Sequence, residues 1–144
     1  MGKLIQLYNW LVFIFNRQLP FSNEDTKALT IKLYDNDTWG IFLDETRLET
    51  QADKNVAAFH EGGHYATGTT HKVYSPQDLI QKHENCADKW AIKHLISKDE
   101  LDEAISKGNT EIWQLAEYFD VTEDFMRKAI CLYTHGNLAV DLYL

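Results

Sequence analysis

Positive charge is scarce in this chain of 144 residues: 14 Lys and Arg stand against 22 Asp and Glu, a formal net charge of −8. Binding nucleic acid by neutralising phosphates needs the opposite balance, and so does a polybasic anchor on an anionic membrane. Cysteine is scarce too. Cys86 and Cys131 lie far apart and outside any C-x-x-C spacing. That excludes a disulfide scaffold and points to a reducing, cytoplasmic setting. Long apolar runs are missing as well. The run WLVFIF (10–15) is six residues long between Asn9 and Asn16, where a membrane span needs about 20. No small-residue cleavage site follows it, so no signal peptide is expected. Gln6 stands where an N-myristoylation motif wants Ser or Thr. No internal repeat, low-complexity tract or long linker interrupts the chain, and its length suits one domain with a real core.

What is present is periodic. Leu4, Ile5, Tyr8, Leu11, Val12 and Phe15 recur at helical spacing, which predicts an amphipathic N-terminal helix over 3–16. Residues 28–45, ALTIKLYDNDTWGIFLDE, read as a hairpin. Leu29, Ile31 and Leu33 alternate with polar residues, Trp39, Ile41 and Leu43 repeat the pattern, and DNDT lies between them. A helix over 50–66 follows, broken by TGTT (67–70). Ser75 as N-cap and Pro76 in the first turn open a second helix over 76–96. Ser97 with Glu100 forms a capping box for the next segment. Thr110 and Thr122 open two more, so that C-terminal helices occupy 98–132. The expected architecture is a single α+β domain, 1–144, with a small N-terminal hairpin region packed on helices.

One stretch carries chemistry. AAFHEGGHYATGTTH (57–71) contains HEGGH, a match to H-E-x-x-H. Residues four apart on a helix lie on one face, so His60 and His64 can offer two imidazoles to one ion. Those donors suit tetrahedral zinc. Glu61, beside His60, lies near the side where an open coordination position would hold water, and there it can act as general base. Zinc lowers the pKa of such a water to about 7. The two glycines oppose a helix. Each costs about 1 kcal/mol relative to Ala in a helix interior, unless a neighbouring strand or a substrate backbone must approach closely.

Two His and one acid leave a ligand to be found. His71, seven residues past His64, is one candidate. The pattern H-E-x-x-H-x-x-G-x-x-H would place Gly at 67 and His at 70. Thr67 and Thr70 hold those positions, and Gly68 and His71 each come one residue late. Glu84, in KHENCADKWA (82–91), is the better candidate. An antiparallel helix that returns a Glu to two His gives a ligand set known for catalytic zinc. The nineteen residues from 65 to 83 allow a turn and a return path of about two helical turns. Asp88 shares the face of Glu84 and can hold a ligand His by its other ring nitrogen. Tyr65 and Tyr74 flank the site, and either could donate to a developing oxyanion, with packing as the default for both. His83 turns about 100° away from Glu84 and Cys86 about 200°. His94 and His135 are isolated.

HEGGHY followed by ENCADKWAIKHLI resembles the ImmA/IrrE family of small metallopeptidases. That family's pattern is H-E-L-G-H, then E-x-x-A-x-x-W/F-A on the next helix. Glu84, Ala87, Trp90 and Ala91 fill the second part. GIFLDE and LAEYFDVTEDFMRKAI also look like the family, so the resemblance covers about residues 28–132. Gly62 departs from it, standing where Leu or another apolar residue is common. The resemblance implies a gluzincin-like site on a zincin-like helical core: one Zn2+ per chain held by His60, His64 and Glu84, with Glu61 as general base. It further implies a zinc-dependent endopeptidase of phages and mobile elements, acting as an anti-repressor through a cut in a helix-turn-helix transcriptional repressor.

Two other readings stand beside that one. In the first, the same fold is a non-catalytic, metal-containing regulator that binds the repressor. In the second, QLAEYFDVTEDFMRKAI (114–130) is a helix-turn-helix and the protein a DNA-binding regulator. The second helix of that pair opens Thr122, Glu123, Asp124, acids that would meet phosphates and base-edge acceptors. A structural helix pair is therefore preferred. The expected partner is a protein substrate, with no direct nucleic acid and no membrane.

Overall fold

The computed structural model describes residues 11–16, 28–33, 38–44, 46–69 and 76–138. Three strands come first: β1 (Leu11–Asn16), β2 (Ala28–Leu33) and β3 (Thr38–Asp44). Five helices follow: α1 (Gln51–Thr67), α2 (Gln77–Leu95), α3 (Lys98–Ser106), α4 (Ile112–Phe119) and α5 (Glu123–His135). The composition is α+β, with helix predominating.

Strand β3 lies between the other two. It runs antiparallel to β2, with Thr30 opposite Ile41, and parallel to β1, with Phe13 opposite Ile41. The strand β1 corrects the helix expected over 3–16, because Leu11–Asn16 are extended and residues 3–10 lie outside those described. Val12, Phe13, Ile14 and Phe15 are β-branched or aromatic, the types that fit a pleated surface. A short apolar run of this kind satisfies helical spacing and strand composition alike, and here pairing with β3 decides.

Each helix start has a local cause. The Thr50 hydroxyl accepts from Asp53 N at 3.0 Å, while the Asp53 carboxylate accepts from Thr50 N at 3.2 Å. Ser97 and Glu100 exchange the same pair of bonds at the head of α3. The cap of α2 is Pro76, extended at ψ 144°, and not Ser75, which lies outside the described residues. Helix α4 starts after Glu111 and not at Thr110, because the Gln114 side-chain oxygen accepts from both backbone amides. Thr122 caps α5 by accepting from Phe125 N, and that helix continues to His135, past the expected end at 132.

Helix α1 packs against β2, β3 and, most extensively, α2; α5 packs against α4 and α2. The core between them holds Ile41, Leu43, Phe59, Ile92, Ile96 and Met126, each at most 2% exposed. Burying a side chain of that size contributes roughly 1.5–3 kcal/mol. Among the described residues no helix is long and apolar enough to cross a membrane. Cys86 and Cys131 are free thiols.

Candidate metal centre

The site begins with a missing side chain. A Cβ on Gly63 would lie 2.5 Å from the carbonyl oxygen of Ala87 and 2.9 Å from its Cα. Glycine is required there because the backbone of α2 presses against α1. The close neighbour is thus a helix, in place of the strand or substrate expected from sequence. Gly63 sits between His60 and His64, and Ala87 between Glu84 and Asp88. This one contact brings the two pairs together.

His60 Nε2 lies 2.7 Å from Glu84 Oε2, and His64 Nε2 lies 3.1 Å from Glu84 Oε1. The two Nε2 atoms are 3.1 Å apart. One donor atom from each of His60, His64 and Glu84 falls within 4.8 Å of the others, so the three could hold a metal ion. The remaining ring nitrogens are already engaged. His60 Nδ1 is 2.7 Å from Asp88 Oδ1. His64 Nδ1 is 3.1 Å from the carbonyl oxygen of Thr69 and 3.2 Å from its hydroxyl. An Nδ1–H given to a carboxylate or a carbonyl leaves the Nε2 lone pair for an ion.

The donor set fits a small tetrahedral ion. Bonds of about 2.0–2.1 Å at tetrahedral angles separate two ligand nitrogens by about 3.3 Å, close to the 3.1 Å found. The charges fit as well. Burial lowers the pKa of His60, but hydrogen bonds to the carboxylates of Asp88 and Glu84 outweigh it and push it up to about 10. Hydrogen bonds from His60 and His64 hold Glu84 well below the usual carboxylate range. For Asp88 burial acts upward, and His60 with Lys128 more than offsets it, so this pKa is lowered too. The carboxylates that raise the affinity of His60 for a proton would favour a metal cation in the same place. His64 is buried, while the Glu84 side chain remains 35% exposed, so the centre opens on its Glu84 side.

Two contributors were not anticipated. Thr69 is returned to His64 by Gly68, whose left-handed φ of +64 closes α1. Thr69 N then donates to His64 O at 3.0 Å, and the Thr67 and Thr69 hydroxyls meet at 2.7 Å. The glycine just after a helix was the available signal. Lys128, on α5, donates to Asp88 Oδ2 at 2.9 Å across 40 positions of sequence, and no local pattern announces it.

The other candidates fall as follows. Glu61 follows His60 on α1 and is half-buried. Tyr65 is half-buried against the core. His71 and Tyr74 lie outside the described residues. His94 stacks on Trp90 with ring centroids 3.9 Å apart. Arg127 on α5 is engaged by Glu123 and Asp124.

A family model described as Peptidase_M78, the IrrE N-terminal-like domain, matches residues 15–130, from within β1 to within α5. No curated protein and no solved structure matches the chain.

Proposed function

This chain belongs to the Peptidase_M78 family of IrrE N-terminal-like domains, and on that premise we propose that it is a zinc-dependent endopeptidase with its ion held by His60, His64 and Glu84. The observation that carries this is the convergence of two Nε2 atoms and one carboxylate within 4.8 Å, with each Nδ1 already committed elsewhere. Bound zinc supplies a Lewis acid that acidifies water and polarises a carbonyl oxygen. Asp88 and Thr69 hold the two rings in register, and Glu84 adds negative charge. Glu61 accepts a proton from the attacking water and delivers it to the leaving nitrogen. The substrate is a protein, as a peptidase-family domain implies. A helix-turn-helix repressor as that substrate, and a cytoplasmic anti-repressor role, are extended to this chain from the family resemblance.

Metal content of untagged protein, measured by mass spectrometry for wild type beside Glu84→Ala, tests the centre. About one zinc per chain in wild type, sharply reduced in the variant, is expected for this ligand set. No metal in wild type after loading with zinc and removal of the excess would sink the centre. Glu61→Gln should then keep the metal and lose cutting. If that variant still relieved repression in a reporter assay, the non-catalytic regulator would replace the protease.

A further inference from the structure

Asp88 uses both of its carboxylate oxygens. Oδ1 accepts from His60 Nδ1 at 2.7 Å, and Oδ2 accepts from Lys128 Nζ at 2.9 Å. The Asp88 side chain is 11% exposed and that of Lys128 is 50% exposed. A line of charge-assisted contacts thus runs from α5 through α2 to the ring of His60 on α1. We propose that Lys128 is a positioning residue of the metal centre, one that fixes the rotamer of Asp88 and through it keeps His60 Nε2 turned toward the ion. This rests on the metal-centre reading above.

The physical case is one of unpaired oxygens. A carboxylate torsion has broad, roughly two-fold wells, so one hydrogen bond alone holds Asp88 loosely. With Lys128 gone, one oxygen of a mostly buried carboxylate is left unsatisfied, which costs free energy. Turning the group toward solvent relieves that cost and releases His60. A half-exposed ion pair contributes little to overall stability, so the effect belongs at the centre and not in the fold. The charge of Lys128 acts in the opposite direction. A cation near a cation site weakens binding by Coulomb repulsion. Removing Lys128 therefore tightens metal binding if it acts only as a charge, and loosens it if it positions Asp88.

That difference of sign is the test. The full chain is prepared as wild type, Lys128→Met, Lys128→Arg, Asp88→Asn and the Lys128→Met/Asp88→Asn double variant. Zinc affinity is read by competition with a chromophoric chelator, and thermal midpoints are read without metal. Lys128→Met should weaken zinc binding by about 5-fold, less than the 10–100-fold typical when a ligand loses its direct orienting partner. Lys128→Arg, which keeps both charge and N–H donors, should stay within about 2-fold of wild type. Lys128→Met should cause no further loss once Asp88 is Asn, because the lysine positions the ring through that carboxylate. The metal-free midpoint of Lys128→Arg should match wild type to within about 2 °C. Unchanged or tighter zinc binding by Lys128→Met overturns the proposal, as does a full further loss in the Asp88→Asn background. A wild type that takes up no zinc removes the metal centre itself. A wild type that binds zinc while Lys128→Met is unaffected removes this inference alone.

Discussion

At the scale of the residue, the two histidines of H-E-x-x-H are held differently. His60 leans on a buried carboxylate and His64 on a main-chain carbonyl. The difference gives the metal-free protein a pH dependence. His60 binds its proton more tightly in the folded chain, with a pKa of about 10 against its ordinary 6.5. A raised folded pKa contributes stability that is fully present below the unfolded value and is lost as pH rises through the folded one. Glu84 is displaced the other way, so its contribution is present above its ordinary 4.5 and is lost as pH falls. The thermal midpoint in the presence of chelator should accordingly decline from about pH 6.5 toward pH 10. His60→Gln should flatten that alkaline limb. A wild-type midpoint that stays level over the same range would mean that His60 does not hold its proton between Asp88 and Glu84.

At the scale of the element, the centre exists because α1 and α2 touch at Gly63 and Ala87. Gly63→Ala puts a methyl 2.5 Å from a backbone oxygen, and one of the helices must shift. Overpacking of this kind costs about 1–3 kcal/mol, readable as a lower denaturant midpoint at unchanged slope. Zinc affinity should fall with it, because the same contact sets the distance from His60 and His64 to Glu84. A Gly63→Ala variant with wild-type stability and affinity would show that the helices are not pressed together there. The sequence was legible where a side-chain hydroxyl caps a helix, and was one position early at α2 and α4, where no hydroxyl cap is made. Thr50, Ser97 and Thr122 mark helix starts because a cap is made within three residues. The pairing of His60 with His64 was legible because residues four apart share one face of a helix, whereas the approach of Glu84 to them depends on how α2 docks on α1. The helix predicted over 3–16 failed at Leu11–Asn16, where pairing with β3, some 28 positions away (Leu11 opposite Trp39), decides the outcome. Lys128 was invisible for the same reason, since its partner is set by how α5 docks on α2.

At the scale of the whole molecule, the candidate metal centre joins helices that share one core. Helix α1 carries Phe59 and α2 carries Ile92 into the cluster that also contains Ile41, Leu43 and Met126. An ion that ties His60 and His64 to Glu84 therefore binds only when that whole assembly is formed. A ligand bound by the folded state alone stabilises it by about 2.7 kcal/mol at 100 times its dissociation constant. For a chain of this length each kcal/mol moves the midpoint by about 3 °C, so saturating zinc should raise the thermal midpoint of wild type by about 8 °C. Glu84→Ala, with two ligands left, should show almost none of that shift at the same zinc concentration. Differential scanning calorimetry with and without zinc makes the comparison. An equal shift in both proteins would mean that the ion stabilises the chain from somewhere else. Outlying histidines such as His94 and His135, or the free thiols of Cys86 and Cys131, would be the places to look. A shift confined to wild type would tie the stability of the fold to the centre between α1 and α2.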